Sequence, residues 1–142
     1  MIDRLKRGRD KEKECAKAMA ASAQIKAWWI PPRAQYAKIA DNTGQDVFGV
    51  FDFVGVDWNG AVVGVQVCRK RPGELAIRKA KIATFVHCYL PAMRAIVAYY
   101  DKSGFMLEEL MPDFVWRLKA LLPYEKPLPE PSLPLRTPEG LS

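Results

Sequence analysis

The run Gly49-Val50-Phe51-Asp52-Phe53-Val54-Gly55-Val56-Asp57, the triplet Trp58-Asn59-Gly60 and the run Ala61-Val62-Val63-Gly64-Val65-Gln66-Val67-Cys68 decide how this chain folds. Both runs are rich in Val and Phe, which suit a pleated surface, and the triplet carries turn chemistry. Val47 to Asp57 and Ala61 to Cys68 therefore read as the strands of a hairpin. A two-residue Asn59-Gly60 turn would pair Trp58 with Ala61 and leave Asp52 and Gln66 on opposite faces. A three-residue loop with Gly60 left-handed pairs Asp57 with Ala61 and sets Asp52 directly opposite Gln66, with Cβ atoms about 4.5–5.5 Å apart. The longer loop is the expectation. A charge inside an apolar strand is expensive to bury alone, so Asp52 needs a partner, a cation or a wet cleft. A purely structural account would have Asp52 and Gln66 bonded to loop backbone.

Working outward, Arg9 to Trp29 is free of Gly and Pro and rich in Ala, Lys and Glu. Its stripe of Cys15, Ala18, Met19, Ser22, Ile25 and Trp29 predicts a helix that Pro31-Pro32 ends. Arg33 to Asp46, with Asp41-Asn42-Thr43-Gly44, reads as a loop. After Arg71-Pro72-Gly73, apolar Ile77, Ile82, Phe85, Val86 and Tyr89 predict a helix from Leu75 to Tyr89 with its basic residues on the other side. Arg94 to Tyr100 and Phe105 to Leu110 flank Asp101-Lys102-Ser103-Gly104 as a second hairpin. Asp113 can cap a short helix from Phe114 to Leu122. Helix, hairpin, helix, hairpin and short helix together predict a mixed α/β (α+β) fold with helices on a central sheet.

With 142 residues, 49% apolar and 27% charged, the chain suits one globular domain, expected over residues 1–122. Six of the last twenty residues are proline, so 123–142 reads as an extended, flexible tail. No apolar run approaches the 18 or so residues of a bilayer span, and the charged start Met1-Ile2-Asp3-Arg4-Leu5-Lys6-Arg7 lacks a secretory signal pattern; an intracellular protein with no membrane partner is expected. Cys15, Cys68 and Cys88 form no zinc-spaced set and are expected to be reduced.

The formal charge is +6, and Arg69, Lys70, Arg71, Arg78, Lys79 and Lys81 against Glu74 place +5 of it in one stretch. Such a patch suits a polyanion, in a cell most often nucleic acid, although a solvated basic face is the plainer alternative. His87, the one histidine, reads as structural. Cys68 has no evident general base to make it a nucleophile. Trp28, Trp29, Trp58 and Trp116 could stack on unpaired bases, but core packing suits most of them better, with Trp58 exposed at a hairpin tip.

Gly8-Arg9-Asp10-Lys11-Glu12-Lys13-Glu14, then Gly49-Val50-Phe51-Asp52, then Gln66-Val67-Cys68 follow in an order and spacing that resembles the PD-(D/E)XK nuclease superfamily, and within it the archaeal-type Holliday junction resolvases and their phage relatives. The resemblance covers roughly Arg7 to Leu110. It implies a restriction-endonuclease-like mixed sheet and cleavage of branched DNA by a two-fold homodimer inside a cell, which could be a phage host. It also implies Mg²⁺, with Mn²⁺ as the alternative, held by Asp52, Gln66, the Val67 carbonyl and Glu12, with Glu14 as runner-up to Glu12. Gln66 stands where the family has glutamate and Cys68 where it has lysine, so the catalytic set implied is Glu12, Asp52, Gln66, Cys68 and Lys70. Lys70 is the expected substitute for the lysine, with Lys79 or Lys81 as alternatives. Arg69, Lys70, Arg71, Arg78, Lys79 and Lys81 would hold the phosphate backbone. Two further readings remain: a nucleic-acid-binding domain with a degenerate nuclease fold, and a protein-interaction domain.

Overall fold

The computed structural model describes residues 2–31, 47, 50–89 and 92–124. The expected Asp41–Gly44 turn and the tail beyond Tyr124 lie outside the described residues. Helix α1 (Ile2–Ala21) leads into strands β1 (Ala27–Trp29), β2 (Phe53–Val56) and β3 (Val62–Arg69); helix α2 (Pro72–Tyr89) follows, then strands β4 (Arg94–Asp101), β5 (Gly104–Leu110) and β6 (Trp116–Pro123). The strands form one six-stranded sheet in chain order, antiparallel throughout except for β3 and β4, which run parallel. A parallel pair needs a crossover, and α2 supplies it. The architecture is the expected mixed α+β one.

The central strands bury both faces. On one face Cys15, Ala16 and Met19 of α1 pack with Phe53, Val63, Val65, Ile96 and Leu107. On the other, Ile82 and Val86 of α2 pack with Phe51, Cys68, Val97 and Tyr99. β3 and β4 accordingly read as near-continuous apolar runs, as strands covered on both sides do.

Four expectations are corrected. The first helix ends at Ala21, eight residues before Trp29, because Gln24 N–H donates to the Met19 carbonyl at 2.8 Å and Ala23 N–H to that of Ala20 at 3.1 Å. This Schellman closure puts Ala23 at φ 63°, a conformation usually taken by glycine. Trp28 and Trp29, released from the helix, lie on an edge strand at 40% and 56% exposure and so are not core residues. The first hairpin strand begins at Phe53, since Val47 and Phe51 form only an isolated bridge. On α2, Ile77 is exposed and the inward stripe is Leu75, Ile82 and Val86, so Arg78 and Lys79 fall on the sheet side and not opposite it. α2 also starts three residues early, at Pro72, a position where the missing N–H costs nothing.

The fourth correction is the largest. Phe114 to Leu122 is no helix: Trp116–Pro123 pairs antiparallel with β5, with a bulge opposite Leu107 and Glu108. Asp113 caps nothing and instead accepts from Val115 N–H at 3.2 Å inside the turn. Pro123 closes β6 and Tyr124 packs edge-on against Phe105 at 5.6 Å, so the packed region extends past residue 122.

At the far end of β3, Asp57 Oδ1 accepts from Asn59 N–H at 2.9 Å and Ala61 N–H at 2.8 Å, while its Oδ2 takes Arg94 Nη1 at 2.9 Å. The Ala61 bond first, then the Arg94 and Asn59 bonds, hold the Asp57 carboxyl below the usual range. The Ser103 hydroxyl and N–H do the same for Asp101. These carboxyls bind protons more weakly in the folded chain than in the unfolded one. Their stabilisation is complete above the unfolded pKa of about 4 and is lost as pH falls through the lower folded values. Urea midpoints should therefore hold steady from pH 7 to 5 and decline below about pH 4, with a shallower decline in Asp57→Asn. A midpoint equally acid-sensitive in that variant would show that Asp57 contributes nothing to the slope.

Candidate nucleic-acid-cleaving site

The hairpin loop is the three-residue one. Asp57 N–H donates to the Ala61 carbonyl at 2.9 Å, Gly60 N–H to that of Asp57 at 3.1 Å, and Gly60 sits at φ 87°. The ladder runs from Val56↔Val62 to Phe53↔Val65. There it changes: Asp52 N–H also goes to the Val65 carbonyl, at 2.8 Å, so Asp52 and Phe53 both stand against Val65, as in a bulge. The Asp52 carboxylate crosses to β3, where Oδ2 accepts from Gln66 Nε2 and, at 2.7 Å, from Val67 N–H. Gly64 permits this approach. A Cβ there would lie 2.8 Å from the Phe51 ring, which lies against β3 just before Asp52.

Asp52 and Gln66 are both buried. So is Glu12, which lies one helical turn before Cys15 on the inward side of α1. The Cys15 thiol is fully buried and pushed well above its ordinary range, first by burial, then by the Asp52, Glu12 and Glu14 charges. The helix carboxylate and the strand carboxylate therefore bear on one sulfur. Glu14 is exposed and pairs with Lys11 at 3.2 Å, which leaves Glu12 as the inward acid.

The other expected residues lie outside the Asp52–Gln66 contact. Cys68 is buried on the α2 face, its thiol pushed up to about 11, chiefly by burial, so it is neither thiolate nor nucleophile near neutrality. Lys70 is exposed beyond the end of β3; its N–H donates to Tyr100 and its charge bears on Asp101. Lys79 is engaged by Glu108 at 2.5 Å and lies over the Tyr99 and Trp116 rings. Arg69, Arg71 and Lys81 are exposed and available to phosphates. His87 is exposed against Phe114, and Trp58 is exposed at the hairpin tip. Sequence reading missed two features. The Val67 N–H meets the Asp52 carboxylate. Arg78, three residues after Leu75 and four before Ile82, shares their inward stripe, and that spacing was the signal for it.

Two carboxylates and a carboxamide are hard oxygen donors, so the donor chemistry fits Mg²⁺ or Mn²⁺. Among the described residues no group of three His, Cys, Asp or Glu could hold a metal. Gln66 presents nitrogen to Asp52, so its amide must turn over before its oxygen can serve.

With that geometry in view, no family model matches the sequence, and no curated protein and no solved structure matches it. No described helix is long and apolar enough to cross a membrane.

Three free cysteines in different settings give a direct check of this placement. Iodoacetamide at pH 8 should label Cys88, which is exposed, and spare buried Cys15 and Cys68 until urea unfolds the chain. Native labelling of Cys68 would mean that α2 does not cover β3.

Proposed function

We propose that this protein is a divalent-metal-dependent, structure-selective DNA endonuclease of the PD-(D/E)XK kind, with a branched substrate such as a four-way junction. The observation that carries the reading is the reach of the Asp52 carboxylate from the end of the first hairpin ladder to Gln66 and the Val67 N–H, with Glu12 buried on the inward side of α1. A mixed sheet flanked by a helix on each face also supports it.

In this reading Asp52, Glu12 and Gln66 hold the ion. When bound, Mg²⁺ lowers the pKa of a ligand water and steadies charge on the phosphate. Val67 N–H fixes the Asp52 carboxylate in place, and Glu12 orients the attacking water. The water oxygen bonds to phosphorus, the P–O ester bond breaks with its electron pair on the departing sugar oxygen, and that oxygen takes up the proton the water loses. Arg69, Arg71 and Lys81, all exposed, track the backbone, so binding weakens with salt. Two symmetric cuts in a junction call for a two-fold homodimer.

One observation favours a second reading, a binding domain without cleavage: the Gln66 amide already satisfies Asp52 by its nitrogen. A single experiment separates them. Labelled four-way junction and linear duplex are incubated with the protein in Mg²⁺, Mn²⁺ or EDTA. Metal-dependent nicking is expected; salt-sensitive binding with no cutting in either metal would support the binding domain and end the nuclease reading.

A further inference from the structure

Attack on a phosphodiester raises the negative charge on the phosphate oxygens, and here it would happen beside two buried carboxylates, Glu12 and Asp52. A site of that charge needs a fixed cation on the protein, aimed at where the new charge appears. The six basic residues between Arg69 and Lys81 are the nearby supply in sequence, and the fold separates them.

Lys70 lies beyond β3 and faces Asp101, and Arg69, Arg71 and Lys81 face outward. Lys79 turns toward β4, β5 and β6, where Glu108, Tyr99 and Trp116 hold it. Arg78 turns the other way. It lies between Leu75 and Ile82 on the stripe of α2 that packs on the sheet beside Cys68. The side chain is 36% exposed, but its Nε is buried with no hydrogen-bond partner among the described residues, and its ion pair with Glu74, at 3.9 Å, is too long for a hydrogen bond. A buried donor left open is costly unless something accepts from it. Cys68 follows Gln66 by two residues on one strand, which places it on the same face.

We infer that Arg78 is the cation of the Asp52–Gln66 site, its guanidinium donating to the non-bridging oxygens of the phosphodiester that is cut. The inference rests on the nuclease reading above. An arginine stays protonated throughout, so Arg78 stabilises charge and takes no proton from water. That division of labour leaves proton transfer to the carboxylate side of the site.

The test compares wild type, Arg78→Gln, Arg78→Lys and Lys81→Gln on a labelled junction. Cutting is measured at saturating protein in Mg²⁺ and affinity is measured in EDTA. Arg78→Gln is expected to cut about 100-fold more slowly at saturation. Its affinity should fall no further than that of Lys81→Gln, which removes the same charge from the exposed side of α2. Lys81→Gln sets the loss of affinity that one phosphate contact carries. Arg78→Lys should recover part of the rate, and it carries the test if Arg78→Gln fails to fold by thermal melting. Saturated cutting by Arg78→Gln within threefold of wild type, or a loss confined to affinity, overturns the assignment while the nuclease reading stands. A wild-type protein that cuts nothing in either metal overturns both.

Discussion

Asp52→Asn is expected to fold like the wild type and to lose DNA cutting in Mg²⁺ by about a thousandfold or more. The amide keeps an oxygen that can accept from Val67 N–H, now 2.7 Å from the carboxylate, so the join between β2 and β3 survives. What disappears is the charge. A ligand worth several kcal/mol of transition-state stabilisation corresponds to about three powers of ten in rate. Asp52→Ala should be equally inactive but also less stable, by about 1–3 kcal/mol, because a buried backbone N–H then has no acceptor. Comparing the two variants by single-turnover cutting and by urea unfolding separates chemistry from folding. If Asp52→Asn cut at the wild-type rate, the Asp52–Gln66 pair would be a structural clasp and nothing more.

Arg94→Met should produce the largest loss of stability available from a single side chain away from the site. Arg94 donates through Nε and Nη2 to the two oxygens of Glu109, both at 2.7 Å, and through Nη1 to Asp57. It ties the hairpin tip to β4 and β5. Glu109 is buried, and Lys119 at 3.7 Å is its remaining cation among the described residues, so removing Arg94 strands a carboxylate. Breaking a buried pair costs about 3–5 kcal/mol, and since a quarter of the Arg94 side chain is exposed, water screens part of this. The expected loss is about 3 kcal/mol, roughly 10 °C in Tm. Arg94→Met with Glu109→Gln should recover part of that loss, because the stranded charge goes too. Calorimetry showing less than about 1 kcal/mol for Arg94→Met would place this network among ordinary surface pairs.

These two variants probe opposite ends of β3, and the ends differ in how openly the sequence declares them. The chemistry of the hairpin tip is local. Asp57 can accept from Asn59 and Ala61, Gly60 takes the left-handed position, and together they set the ladder from Val56↔Val62 to Phe53↔Val65, from whose end the Asp52 carboxylate reaches Gln66. The second hairpin, Arg94–Asp101 with Gly104–Leu110, was legible for the same reason, with Gly104 at φ 140°.

The turn into β6 shows where that legibility stops. Met111 and Val115 close it with the same bonds that Asp57 and Ala61 make: Met111 N–H to Val115 at 2.9 Å and Phe114 N–H to Met111 at 2.8 Å. Phe114, however, holds the left-handed place that Gly60 holds in the first loop, at φ 63°, so no glycine announces the turn. Ala23 hides the end of α1 in the same way. The Leu, Lys, Arg and Ala of residues 116–123 favour a helix by themselves, yet β5 offers an open edge of N–H and C=O groups, and pairing with it outweighs that preference. The side of α2 on which Lys79 lies was likewise decided by what the sheet presents, the Glu108 carboxylate and the Tyr99 and Trp116 rings. Turn chemistry and strand register thus came from neighbours in sequence, whose side chains bond the adjacent backbone. The last strand, the early end of α1 and the facing of the basic helix came from tertiary structure, because each depends on backbone edges and charges that distant segments supply.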